Sequence, residues 1–127
     1  MGAAAAANVV TVTFTGPATY PDIRMAEYSG IDPNNPLDVV SSATGNGATS
    51  ATPAVATSYA NDLLVGANLV QSLTITAGSG FSTRVITSPD GDLLEDRVVT
   101  TTGSYSVTAN IAPDLWIMQM VAFRRHP

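Results

Sequence analysis

There is no cysteine in this sequence and no lysine, and there is only one histidine and one tryptophan. Each scarcity closes off a class of function. Without Cys there is neither a disulfide framework nor a thiolate metal site. A single His, His126, cannot build a His-rich metal centre within one chain. A Ser-His-Asp triad would have to rest on the frayed C-terminal end beside Pro127. The five positive charges are all Arg, against ten Asp and Glu, giving a formal charge of −5 and a pI near 4.3. That balance lacks the basic patch of a nucleic-acid binder and disfavours an anionic membrane surface. No signal peptide is visible, because Met1-Gly2 and Ala3 to Ala7 lack a basic region and a long apolar core. Residues 1–7 read as a frayed arm or a start added for expression.

What is abundant is Thr, Val, Ser, Gly and Ala. Strong helix formers are few and β-branched residues many, which favours strands. The 127 residues suit one domain, long enough to bury about two thirds of its unfolded surface. The longest apolar run, Leu115 to Phe123, is broken by Gln119 and too short to span a bilayer. Trp116, Met118, Met120 and Ala122 lie on one face of it, and Leu115, Ile117, Val121 and Phe123 on the other. A strand apolar on both faces is expected to be central in its sheet.

Asn8–Thr15 alternates Val10, Val12 and Phe14 against Val9 and threonines, as a half-buried strand would. Asp22–Ser29 reads as the next strand. Gly30–Asp38, with two prolines, reads as an ordered loop. Leu37–Ser42 is expected to be a short strand, Ala43–Pro53 a mobile loop and Ala54–Tyr59 an edge strand. Leu63–Val70, Ser72–Thr76, Phe81–Thr87, Leu93–Thr100 and Ser104–Ala109 follow. The hairpin at Ser88–Asp92 is expected to pair Thr87 with Leu93 and to set Arg84 opposite Asp96. About nine strands and little or no helix imply an all-β antiparallel sandwich or barrel over residues 8–125.

Several segments carry a resemblance: Tyr20–Asp38 (YPDIRMAEYSGIDPNNPLD), Asn61–Gly66 (NDLLVG), Arg84–Asp92 (RVITSPDGD) and Met118–Phe123 (MQMVAF). Together they resemble a poorly characterised β-sandwich, jelly-roll-like module of large secreted or surface proteins of environmental bacteria. The resemblance covers nearly the whole chain and brings no catalytic residues with it. In that family the strand like Asn8–Thr15 lies in mid-domain, so this chain matches the C-terminal part of the module. The resemblance thus implies an open edge and an uncovered apolar face, closed by self-association into a homodimer or larger, with strand exchange.

The chemistry-bearing candidates are few. Asp90-Gly91-Asp92, with Glu95 and Asp96 near, offers oxygen ligands for calcium on a turn, without the spacing of an EF-hand. No other cofactor is implied. Glu27, Glu95 and Asp96 lie within strands and could serve as paired carboxylates for glycoside hydrolysis, with Arg24 and Arg97 close by in sequence. Ordinary cross-strand ion pairing explains the same pattern. Among the aromatics that could stack on sugar rings, Tyr20 and Tyr59 flank turns and suit exposure, whereas Trp116 suits the core. With Arg24 and Arg97 they form the candidate ligand-binding set. The function expected is a non-catalytic extracellular module for adhesion or carbohydrate contact. The alternative is a small cofactor-free hydrolase.

Overall fold

The computed structural model describes residues 9–126, so the expectation for residues 1–7 lies outside the described residues. The described chain is all-β, with eight strands and no helix: β1 (Leu37–Ala51), β2 (Val55–Ala56), β3 (Asp62–Val70), β4 (Thr74–Ala77), β5 (Ser82–Ile86), β6 (Leu93–Val98), β7 (Ser104–Tyr105) and β8 (Thr108–Arg124). All pairings are antiparallel. The main sheet runs β1-β8-β3-β6-β5, with β4 also on β8, and β2 pairs β7 separately.

The apolar C-terminal run is central, as its two-faced pattern requires. β8 lies between β1 and β3, with Ile117 opposite Thr44 on one side and Leu69 on the other. Only one of its faces is closed, however. Met118, Met120 and Ala122 are buried, whereas Leu115 and Ile117 remain 48% and 41% exposed.

β1 and β8 are long, at 15 and 17 residues, and both are irregular near their middles. The register slips between Gly47 and Thr49, with Gly47 at φ +142 and Pro113 on the facing stretch of β8. A Pro is tolerated in an inner strand where the ladder is interrupted. Beyond the slip the two strands, joined by β4, contribute a second layer over the inner face of the main sheet. Val107, just ahead of β8, packs where a side chain on Gly66 of β3 would stand, beside Glu95 of β6. The core between the layers holds Leu93, Val107, Ala109, Met118 and Met120, with Leu64, Val99 and Ala122 adjoining and Phe81 touching both groups.

Three expectations are corrected. Ala43–Pro53 is not a mobile loop, because residues through Ala51 belong to β1 and pair with β8. Its small residues reflect packing: the Trp116 ring lies against Gly45 so closely that a Cβ would collide with it. Val9–Thr15 and Asp22–Ser29 are not strands, since neither enters a ladder. Asp22–Ser29 instead crosses the outer face, with Arg24 and Tyr28 turned to the sheet and Ile23 and Met25 54% and 59% exposed. Its fastening is polar, and alternation alone cannot distinguish that from a ladder. The described residues form eight strands, against the roughly nine expected. The hairpin register is also one residue off. Ile86 pairs Leu93, because Thr87 N–H donates to Asp92 O at 2.9 Å and closes the turn there. A bulge between Thr83 and Val85 shifts the register by one more residue and sets Ser82, not Arg84, opposite Asp96, but the long side chain still spans the offset: Arg84 Nε and Nη2 donate to Asp96 at 2.6 and 2.7 Å.

Candidate functional site

The β3–β6 ladder ends at Ala67 and Leu94, so the carbonyls of Asn68 and Leu93 are no longer paired between these two strands. Arg24 supplies the donor: its Nη1 bonds Asn68 O at 2.5 Å and Leu93 O at 2.7 Å. Its other edges face Asp22 and Asp92, each at 3.8 Å. Asn68 completes the joint from inside. Its Oδ1 accepts from Leu93 N–H (2.7 Å), and its Nδ2 donates to Thr74 Oγ1 (2.9 Å) and Ser50 Oγ (3.4 Å). A buried amide with this many partners fixes the strand ends relative to one another.

Beside this joint opens a groove of about 670 Å³, bordered by Tyr20, Leu69, Gln71, Ser72, Pro89, Asp90 and Asp92. Its floor is rigid. Asp92 Oδ1 accepts Val70 N–H at 2.8 Å, and Asp92 N–H donates to Thr87 Oγ1 at 3.0 Å. Burial pushes the Asp92 carboxyl up, and the Val70 bond and Arg24 oppose that rise. Gly91, at φ +75, packs against Leu73 with no room for a Cβ. The rim is aromatic and polar. Tyr20 is 77% exposed and sits at φ +54, a left-handed conformation that a non-glycine residue adopts against steric preference.

The groove thus unites Tyr20, Asp90 and Asp92 from the sequence candidates, with Arg24 supporting it from beneath. Tyr59 and Arg97 stand elsewhere. Tyr59 carries the Arg124 guanidinium over its ring at 4.0 Å, beside a cavity of about 340 Å³ shared with Asp32, Asn61 and His126. Arg97 lies 6.0 Å above the Tyr105 ring. The calcium candidates Asp90 and Asp92 are neighbours on the rim. Among the described residues no group of three or more His, Cys, Asp or Glu side chains is placed to hold a metal ion. No described helix is long and apolar enough to cross a membrane.

The three catalytic candidates are not brought together. Glu95 and Asp96 are successive residues of β6, so their side chains leave opposite faces of the sheet. Glu95 is fully buried on the inner face. Gly78 N–H donates to its Oε2 at 2.8 Å, and burial raises its pKa to about 7. Asp96, on the outer face, accepts from Arg84 and from Tyr28 Oη (2.6 Å). Burial would raise its pKa, but those hydrogen bonds outweigh burial and hold it below the usual value. Glu27 is exposed on the crossing segment. None of the three lines the cavities described here.

A carboxyl pair that sequence reasoning passes over lies at the other end of the sheet. Asp62, fully buried with neither carboxyl oxygen hydrogen-bonded, has its pKa raised to about 6, first by burial and then by the nearby Asp38 carboxyl, against the pull of Arg124. Asp38 in turn accepts Ser58 N–H at 2.7 Å. Asp38 reads as the end of a loop and Asp62 as part of a turn, so no local signal links them. Only the placement of β1 and β3 on either side of β8 does.

No protein-family model matches the chain, and comparisons with curated proteins and with solved structures give no match.

Proposed function

We propose that this chain is a non-catalytic carbohydrate-contact module of a secreted or cell-surface bacterial protein. The observation that carries this reading is the groove at Tyr20: an exposed aromatic ring held outward beside Gln71, Ser72 and Asp90 over a fixed floor. Sugars present an apolar face and a ring of hydroxyls, so one aromatic plate among amide, hydroxyl and carboxylate groups matches both. The extracellular bacterial setting rests on the resemblance of the segments quoted above. The Cys-free, Lys-free, Thr- and Ser-rich composition agrees with it.

The test is a titration of the protein with a panel of oligosaccharides, followed by amide NMR shifts, with and without calcium. Shifts clustered at residues 19–20, 71–72 and 89–92, lost in Tyr20→Ala, support the reading. Saccharide binding elsewhere, or none across the panel, overturns it. Dependence of the shifts on calcium would assign the ion to Asp90 and Asp92.

A small cofactor-free hydrolase is the second reading, favoured by one observation, the raised pKa of Glu95. Glu95 is enclosed by Val107 and Gly66, which leaves a substrate no approach without rearrangement. Glycosidase assays on wild type and Glu95→Gln separate the two, because turnover abolished by that change would replace the binding reading.

A further inference from the structure

β1 is an edge strand with a single neighbour, β8. From Val39 to Thr52 it carries no charge and no proline. Natural edge strands are blunted with such residues because an open row of N–H and C=O groups invites another strand. The sheet surface behind this edge is apolar and open, with Val40 62%, Leu69 50%, Leu115 48% and Ile117 41% exposed. A cavity of about 320 Å³ lies there, lined by Thr44, Gly45, Leu69, Leu115, Trp116 and Ile117.

The same chain carries an unused strand. Val9–Thr15 alternates, bears no charge and enters no ladder, and Val10, Val12 and Phe14 are 55%, 47% and 52% exposed. Tethering favours pairing within one chain when the geometry permits it. Here the geometry opposes it. Thr19 and Tyr20 are held in the groove on the β3 side. A position outside β1 is three strand spacings from β3, about 14 Å. The four steps from Thr15 to Thr19 span about 14 Å only when fully extended, whereas the chain bends at Thr15–Gly16 and again at Thr19–Tyr20. The segment can be laid along its own β1 only by straightening both bends or by drawing Tyr20 out of the groove.

We infer that two copies of this chain associate by exchanging this segment. Val9–Thr15 of each copy adds as a strand to the open β1 edge of the other, and Phe14 packs into the β1 side of the cavity, against Thr44 and Gly45. Backbone hydrogen bonds along β1 give the attachment, and the aromatic anchor in a pocket gives the register. Each added strand is about 23 Å long. Reciprocal exchange brings the covered surface to the order of the 1,000 Å² that a specific interface needs. The two-fold arrangement uses both segments and both edges, so assembly closes at the dimer. The inference is independent of the carbohydrate reading.

Sedimentation velocity on the wild-type chain at on the order of 100 μM, where even a dimer with micromolar Kd is populated, should show a dimer. Phe14→Asp should weaken that dimer at least ten-fold and leave the far-UV circular dichroism unchanged, because the segment contributes no ladder to the monomer. Since the chain has no Cys, the double variant Val12→Cys, Ser42→Cys gives a clean cross-link. Oxidation should yield a covalent dimer. A wild-type monomer throughout, a dimer indifferent to Phe14→Asp, or a cross-linked monomer would each overturn the inference, the last by showing that the segment docks on its own chain.

Discussion

Glu95 and Asp96 are neighbours in sequence and strangers in environment. The inner face of β6 seals Glu95 beneath Val107 with one donor, Gly78 N–H, and its proton is held to about pH 7. The outer face gives Asp96 the Arg84 guanidinium and the Tyr28 hydroxyl, and its proton is lost more readily than usual. Both carboxyls are almost wholly buried. The difference comes from partners: burial without a cation favours the neutral acid, and burial beside a cation favours the anion. The two faces of one sheet are therefore stabilised in opposite pH ranges.

The sharpest way to break this contrast is to open the inner face. Gly66→Val places a side chain where Val107 already stands. Overpacking against the enclosed side chains of Val107 and Glu95 should cost about 3 kcal/mol, read as a large fall in the urea midpoint. A near-neutral result would mean that Val107 does not cover the sheet.

Glu95→Gln is the next largest. Its folded pKa is raised, so its stabilising contribution is complete below the unfolded value of 4.5 and is lost as pH rises through about 7. At 1.36 kcal/mol per unit the loss is roughly 3 kcal/mol by pH 8. The Gln variant should match wild type near pH 4.5 and exceed it by about 2–3 kcal/mol at pH 8. Parallel stability profiles for the two proteins would show that Glu95 is not protonated inside. Asp96 acts in the opposite sense. Its folded pKa is depressed, so its contribution is present above the ordinary carboxylate range and lost as pH falls through the folded value. Wild-type stability should therefore peak near pH 4, where Asp96 is already ionised and Glu95 still protonated, with Asp62, at about 6, steepening the alkaline side.

On the outer face, Tyr28→Phe removes a hydrogen bond to a carboxylate and should cost about 1–2 kcal/mol. It should also make the acid limb shallower, because one group that depresses the Asp96 pKa is gone. An unchanged acid limb would assign that depression to Arg84 alone. The smallest effect belongs to the open surface: Val98, on the outer face of β6, is 52% exposed, and Val98→Thr should change stability by less than about 0.5 kcal/mol. A larger loss in thermal melts would mean that this part of the outer face is covered after all.

Much of the framework could be read from the residues. The β-branched composition and the turn signals specify an all-β antiparallel chain, and a run apolar on both faces specifies its central strand. The Arg84–Asp96 contact was legible because unlike charges lay at matching distances from the Ser88–Asp92 turn, even though the ladder sets Ser82 opposite Asp96 and only the reach of the Arg84 side chain makes the contact. The small, polar stretch after Ser42 misleads, because Gly45 is required by the ring of Trp116, some 70 residues away, and nothing local announces that. Asp22–Ser29 misleads for the converse reason: its alternation is real, but Arg24 and Tyr28 make its polar face the one that binds the sheet. Of the candidate site, Tyr20, Asp90 and Asp92 were nameable from their turns. Gln71 and Ser72 were not, since only the meeting of the β3 end with the β5–β6 turn brings them into the groove.

Local chemistry alone determined that the chain extends rather than coils into helix, that it turns at Ser88–Asp92, and that it carries no Cys, no Lys and one His, because those properties belong to single residues and their near neighbours. Tertiary structure decided which face of β6 receives a cation, which carboxyls meet across β8, which edge stays open and where a groove forms. Those outcomes depend on contacts between residues far apart in the chain, and a periodicity of two cannot say which strand will lie alongside, or whether one will.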